Sequence, residues 1–446
     1  MTVQVGPGGR SFVDWNHIIK DVTQGRWIDP DTGKAVKVPF GHIEIGDGFA
    51  DKARELVESV MPLEDYAVVC DNATFAAMGD KIVKAMGGTA TLILLEHPHA
   101  DEAQVRALQS RTRNQAGLIA VGSGTINDLC KYATFLDGRD YCVFATAPSM
   151  NGYTSSTASI TLDSGLKTTK TAHAAKGVFI DIGVSAAAPR YLIGAGLGDA
   201  LCRPTAQVDW YFSHVMLGTR YATSPYLLQA EDEAALLRRV AGLGQGEHDA
   251  VGFLQRLLTL GGLGIAVVGI SHPGSMGEHQ ISHWIDSFAG SRHPGTVHGQ
   301  QVGVASVTMA RLQHYILSRE APPHVRGWQP DEAAIRARYP EAAVAGCLQA
   351  ARAKAMDQSK AAVFNHRLAE VWPTLRITLR GMMLNPDDMA SALRAAGGGA
   401  TYDEIGLTRA LYVEALRHCR EIRDRYSFLD LAEDMGILDD FIEEYV

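Results

Sequence analysis

The chain is 446 residues long, 46% hydrophobic, and sets 41 basic against 50 acidic side chains for a formal net charge of −9. At about 150 residues per domain that length implies two or three units, and the mild acidic balance excludes the electrostatic footprint of a nucleic-acid binder or a polybasic membrane-surface protein. Cys70, Cys130, Cys142, Cys202, Cys347 and Cys419 are scattered without a CxxC pair, which excludes a disulfide framework and a thiolate zinc site and leaves reduced core thiols of a cytoplasmic protein.

The N-terminal stretch MTVQVGPGGRSFVDWNH lacks the basic start and apolar run of a secretory leader, so export is not expected. From Tyr66 the pattern alternates. YAVVCD is a short β-rich run, TFAAMGDKIVKAM has helical spacing, ATLILL is a second apolar run and DEAQVRALQSRT is again helical; GLIAVG, TINDLCKYATFL and YCVFATAPS continue the series. That βαβ order predicts a parallel sheet with helices on both faces. SSTASITLDSGLKTTKTAH reads as a hairpin turning at Asp163-Ser164-Gly165, and GVFIDI closes the half near Gly183.

From about Ser185 strand signals stop, and helical spacing runs to the end in segments such as EDEAALLRRVAGL and LTRALYVEALRHCREIRDRY. The expectation is an α/β nucleotide-binding domain over 1–184 and an all-helical domain over 185–446. LLTLGGLGIAVVGI from Leu257 is shorter than the roughly 20 apolar residues a bilayer requires, so it reads as a buried helix or helix pair and no membrane insertion is expected.

Chemistry concentrates in a few places. Gly122-Ser123-Gly124 lies between a predicted strand and helix, where glycines and helix N–H groups cradle a pyrophosphate; Asn127 stands where the full dinucleotide fingerprint has its third glycine, so a plain tight turn remains the other reading. Asp71, ending the first strand of the alternation, suits either a ribose diol or an N-cap for the helix at Thr74. GEHQISHWIDSF places His279 and His283 at i and i+4 on one helical face, and His298 opens QQVGVASVTMARL after a Gly/Pro turn. Two imidazoles and one carboxylate would make a metal site with open positions. By local rules Asp199, in GAGLGD, is only an N-cap.

Five ordered motifs, VGSGTINDLCK, FATAPSMNGYTSSTASITLDSG, GAGLGDALCRPTAQVDW, SMGEHQISHWID and HGQQVGVAS, resemble those of sn-glycerol-1-phosphate dehydrogenases. The likeness is to the bacterial branch, within the superfamily of iron-containing alcohol dehydrogenases, glycerol dehydrogenases and dehydroquinate synthases. It implies a dehydroquinate synthase-like fold and a metal-dependent reduction of dihydroxyacetone phosphate to sn-glycerol 1-phosphate. Asp199, His279 and His298 would ligate one divalent Zn²⁺, Ni²⁺ or Fe²⁺ and form the catalytic centre. Gly122, Ser123, Gly124 and Asp128, with Asp71, Thr146 and Ser149, would hold NAD(H), with NADP(H) as the alternative.

The same resemblance places Asn151, Ser155 and His283 at the substrate, with His272 and His293 as neighbours. Archaeal members carry aspartate where Asn151 stands, which leaves glycerol or another polyol as an alternative substrate. Lys167, Lys170, Arg203 and Arg292 are phosphate candidates by neighbourhood only. A dehydroquinate synthase-type lyase would have lysines in the segment after the "PTS" strand, where MNGYTSSTAS has none. The expected setting is a cytoplasmic homo-oligomer acting on a phosphorylated polyol, without nucleic acid.

Overall fold

The computed structural model describes residues 3–5 and 11–446; residues 1, 2 and 6–10 of the expected first domain lie outside the described residues. Among the described residues, ten strands precede the helical part. β1 (Val3–Val5) and β2 (Ser11–Val13) pair as a short antiparallel ribbon. A six-stranded sheet contains β3 (His42–Gly46), β4 (Tyr66–Asp71), β5 (Ala90–Leu95), β6 (Gly117–Gly122), β7 (Asp140–Ala145) and β10 (Gly177–Asp181), in the order β3-β10-β7-β6-β4-β5. Every pairing in it is parallel. Between β7 and β10, β8 (Thr157–Thr161) and β9 (Lys167–Thr171) form the expected hairpin, with Gly165 at φ 84° in its turn.

The strands alternate sides as a two-residue period requires. Ala67 and Val69 of β4 join one buried cluster, while Tyr66, Val68 and Cys70 join the other. Both faces are therefore covered. Sequence patterning missed β3, whose five residues sit beyond the alternation, and GVFIDI inserts between β3 and β7 as β10.

The chain folds as two compact units. Unit 1 comprises 1–200, 223–270 and 395–397; unit 2 comprises 201–222, 271–394 and 398–446. The division does not follow one cut near residue 185. Helices Ser224–Leu237 and His248–Val268 belong with the sheet because Leu228, Leu260 and Leu263 are part of one sheet-face core. His248–Val268 is long and apolar enough to cross a bilayer, yet 78% of its most apolar window is buried. Packing uses that apolar surface.

Unit 2 is helical throughout its regular structure among the described residues. The Cys202–Leu217, Gly277–Phe288, His298–Leu317 and Gln358–Arg380 helices bury Trp210, Trp284 and Trp372. All six cysteines are buried.

Candidate active site

The crevice of a parallel sheet lies beyond the strand C-termini where successive connections leave in opposite directions. Here the chain passes from β4 to β5 on one side and then to β6 on the other side of β4. The paired positions end at Val69 and Ala120, so Asp71 and Gly122 follow two residues later on neighbouring strands. The Gly turn and the carboxylate thus share one crevice.

Of the two glycines there, Gly122 has a steric reason. A Cβ on Gly122 would meet the Ile126 side chain at 2.6 Å, whereas one on Gly124 would reach only Met150 at 3.6 Å. The Gly124–Asp137 helix starts there, with Ser123 as its N-cap and no side-chain cap bond. Asn127 replaces the third glycine because its side chain is used: it is buried, and its Nδ2 donates to Gly152 O at 3.4 Å and Asp128 Oδ1 at 3.1 Å. Asp71 caps its helix by accepting the Thr74 N–H at 2.8 Å, completing a reciprocal capping box.

The loop after β7 is tied to this crevice. Thr146 N–H donates to Gly122 O at 3.2 Å, and buried Tyr153 donates to Gly122 O at 3.1 Å and to Ala147 O at 3.0 Å. Ser149 and Thr146 are buried; Ser155 shares a 2.9 Å hydroxyl contact with Thr157. Asp128 accepts the Ser159 N–H at 3.0 Å and so reaches the hairpin. Lys131, the last residue of the VGSGTINDLCK motif and assigned no role from sequence, is fully buried and donates to Gly152 O at 2.9 Å and Thr157 O at 3.0 Å. Burial lowers its ammonium pKa, and Asp128 at 3.4 Å opposes that shift. Lys131 therefore braces Gly152, next to Asn151, and Thr157, beyond Ser155.

Asp199 does not start a helix. It is the penultimate residue of the Arg190–Ala200 helix, which corrects the N-cap reading, and its Oδ2 accepts the Asn151 N–H at 2.9 Å. Its glycines serve packing: a Cβ on Gly196 would lie 1.6 Å from Pro148 O, so only glycine lets this helix touch the β7 loop.

In unit 2 the three motif histidines converge. The His279 and His298 rings lie 5.1 Å apart, with His283 at 5.9 Å and 5.6 Å from them. His279 Nδ1 is 2.9 Å from Glu278 Oε1 and His298 Nδ1 is 3.1 Å from Ser282 Oγ. A carboxylate at Nδ1 selects the tautomer that presents Nε2 as a ligand, the outer support usual for metal-bound imidazole. Glu278 is itself fixed by the Met276 N–H at 2.7 Å. Cys202, Glu278 and His279 also offer ligand atoms within 4.8 Å of one another.

His283 differs from its neighbours. Arg423 Nη2 approaches its Nδ1 at 3.1 Å, and a guanidinium can only donate, so the neutral ring carries its proton on Nε2. Burial, then Arg423, holds its pKa well below the ordinary imidazole value. His293 contacts Asp286 at 3.1 Å and Gln301 at 2.9 Å, which makes it a support for the loop before His298. His272 lies against Trp210. Arg292 pairs with Glu414 and Lys170 with Glu102, while Arg203 donates to Gln207 at 3.1 Å.

Comparison with known proteins gives this arrangement its context. Glycerol-1-phosphate dehydrogenase [NAD(P)+] of Bacillus velezensis is 30% identical over 384 residues, 83% of this chain and 86% of that protein. The chain belongs to the glycerol-1-phosphate dehydrogenase family. The Bacillus subtilis protein of the same name is 29% identical over 411 residues, covering 90% and 93% of the two chains. Residues 44–189 match the iron-containing alcohol dehydrogenase family, a span that includes the Gly turn, Asp71 and the Asn151 loop.

Solved structures agree on the fold of this glycerol-1-phosphate dehydrogenase family member. A probable glycerol dehydrogenase from Sinorhizobium meliloti superposes with a TM-score of 0.61 at 14% identity, covering 92% of this chain and 99% of that one. A sulfoacetaldehyde reductase from Bifidobacterium kashiwanohense, solved in complex with NAD+, gives 0.59 at 14% identity over 92% and 97%.

Proposed function

We propose that this chain is a divalent-metal-dependent, NAD(P)-linked dehydrogenase that interconverts dihydroxyacetone phosphate and sn-glycerol 1-phosphate. The observation that carries the reading is the His279–His298 pair, 5.1 Å apart, each with its Nδ1 engaged by a separate side chain. Asp199, His279 and His298 are the proposed ligands, an Asp/His/His donor set that suits Zn²⁺, Fe²⁺ or Ni²⁺. Gly122, Ser123 and Gly124, with Asp71, Asp128, Thr146 and Ser149, are the proposed nucleotide site.

When bound, the nicotinamide supplies hydride and the divalent ion supplies positive charge where alkoxide charge develops. The chain's own residues supply position. The Asn151 N–H fixes one oxygen of Asp199, Glu278 orients His279, and Lys131 holds the loop of Asn151 and Ser155. His283 offers its Nε2–H to a substrate oxygen. Asp71 beside the ribose would repel a 2′-phosphate and favour NAD over NADP.

A cytoplasmic setting is supported by the six scattered, buried cysteines. A homo-oligomer is supported by Val363 and Ile377, exposed at 68% and 70% and two heptads apart on the Gln358–Arg380 helix, where a second copy would cover them.

The test is metal content. Asp199→Ala, His279→Ala and His298→Ala should each lose most bound metal and nearly all turnover while retaining nucleotide binding. Stoichiometric metal in purified His279→Ala or His298→Ala would overturn the assignment.

A further inference from the structure

The arginines near the C-terminus fall into two kinds. Arg420 is buried and paired with Asp430 and Asp434, both at 3.1 Å, and Arg417 pairs with Asp439 at 2.9 Å. Arg423 and Arg425 have no carboxylate within ion-pair distance among the described residues. Arg423 meets His283 Nδ1 at 3.1 Å; Arg425 donates to Ser271 Oγ at 2.7 Å and to Ser275 O. Every one of those partners is neutral.

Two neighbouring, half-buried guanidiniums face the opposing charge of Asp424, with Glu278 also acting on Arg425, yet ion-pair with neither, which leaves their N–H groups for an anion that would complete the arrangement. Burial lowers both pKa values, and for Arg425, pushed down to about 10, Arg423 is the next cause. By contrast Lys170 and Arg292 already have carboxylates and need no anion.

Their position gives the anion a source. Arg423 touches His283, whose ring lies 5.9 Å from His279 and 5.6 Å from His298. The Arg423 guanidinium is thus one side chain away from the imidazoles proposed to hold the metal, and Arg425 is its neighbour. A three-carbon chain with hydroxyl oxygens at one end and a phosphate at the other spans such a gap.

We propose that Arg423 and Arg425, beside His283, form the seat for the phosphate of the substrate. The inference rests on the reading of that substrate as a phosphate ester. The two forks accept a tetrahedral dianion through paired N–H···O bonds, a geometry lysine cannot reproduce. Ser271 and Ser275 hold Arg425 in place for it.

The experiment uses the metal-reconstituted enzyme with NADH and compares dihydroxyacetone phosphate with dihydroxyacetone. In Arg423→Met and in Arg425→Met, the kcat/KM preference for the phosphate ester should fall by about 100-fold, with KM rising more than kcat falls, and Arg423→Lys should recover part of it. Metal content and KM for NADH serve as controls on folding. An unchanged preference in both methionine variants overturns the proposal, as does a loss confined to NADH affinity, which would assign the arginines to the cofactor's phosphates. If wild type shows no preference for the ester, the substrate reading fails, and calorimetric titration with inorganic phosphate decides the seat separately. Phosphate binding to wild type that disappears in the methionine variants upholds an anion seat; no binding to wild type overturns it.

Discussion

Asp71 and Gly122 each lie two residues beyond Val69 and Ala120, the last pair between β4 and β6, at the point where the sheet's connections change direction. Neither residue is informative alone, since one is a helix cap and the other a turn. Together they outline a crevice with a carboxylate on one wall and backbone N–H groups on the other.

Asp71→Gly should therefore have two separable effects. Loss of the carboxylate lowers the ratio of kcat/KM for NADH over NADPH, because repulsion of a 2′-phosphate is removed. Loss of the bond to the Thr74 N–H costs no more than about 1 kcal/mol, since glycine is a tolerated cap. Steady-state kinetics with both cofactors and a denaturant titration measure the two. An unchanged ratio with the stability loss intact would leave Asp71 as a cap alone.

Glu278 is expected to act through His279. Glu278→Gln keeps the shape but puts an amide at Nδ1, so metal affinity should fall by about 10- to 100-fold while the helix survives. Chelator competition reads this directly, and equal affinity in the variant would show that Glu278 only anchors the Met276 N–H.

Gly196→Ala and Gly346→Ala should move stability in opposite directions. In an open helix alanine gains up to about 1 kcal/mol over glycine, and a Cβ on Gly346 meets nothing within 4 Å. At Gly196 that gain is overwhelmed, because the new Cβ would sit 1.6 Å from Pro148 O, and a clash against backbone costs about 1–3 kcal/mol or more. Calorimetry of both variants settles the comparison; a more stable Gly196→Ala protein would mean the helix can move away from the loop.

His272 adds a pH dependence. Burial, then Arg425, lowers its folded pKa from 6.5 to about 4. The unfolded chain takes up a proton that the folded one refuses, so this residue costs stability increasingly as pH falls from 6.5 toward 4 and nothing well above 6.5. His272→Phe keeps the contact with Trp210 and should lose less stability over that interval than wild type. Parallel acid-stability curves would contradict this.

The periodic and punctuated parts of the molecule were legible from the residues. Alternating apolar runs from Tyr66 marked β4 to β7, Asp163-Ser164-Gly165 marked the hairpin, and the i, i+4 histidines marked a helix found at Gly277–Phe288. What local pattern could not show depends on distant partners. GAGLGD looks like a helix start, yet its glycine serves an approach to Pro148, 48 residues away from Gly196 in sequence. LTRALYVEALRHCREIRDRY reads only as helical spacing, and it takes tertiary packing to turn Arg423 toward His283. Helix His248–Val268 sits with the sheet because of side chains such as Leu260, which no boundary signal reports.

The most direct measurement of the central reading is NADH oxidation by the purified protein with dihydroxyacetone phosphate, before and after loading with Zn²⁺, Ni²⁺ or Fe²⁺. The expected result is turnover only after metal loading, with sn-glycerol 1-phosphate as product and a higher kcat/KM than for dihydroxyacetone. Turnover independent of metal, or a higher kcat/KM for the unphosphorylated ketone, would contradict it.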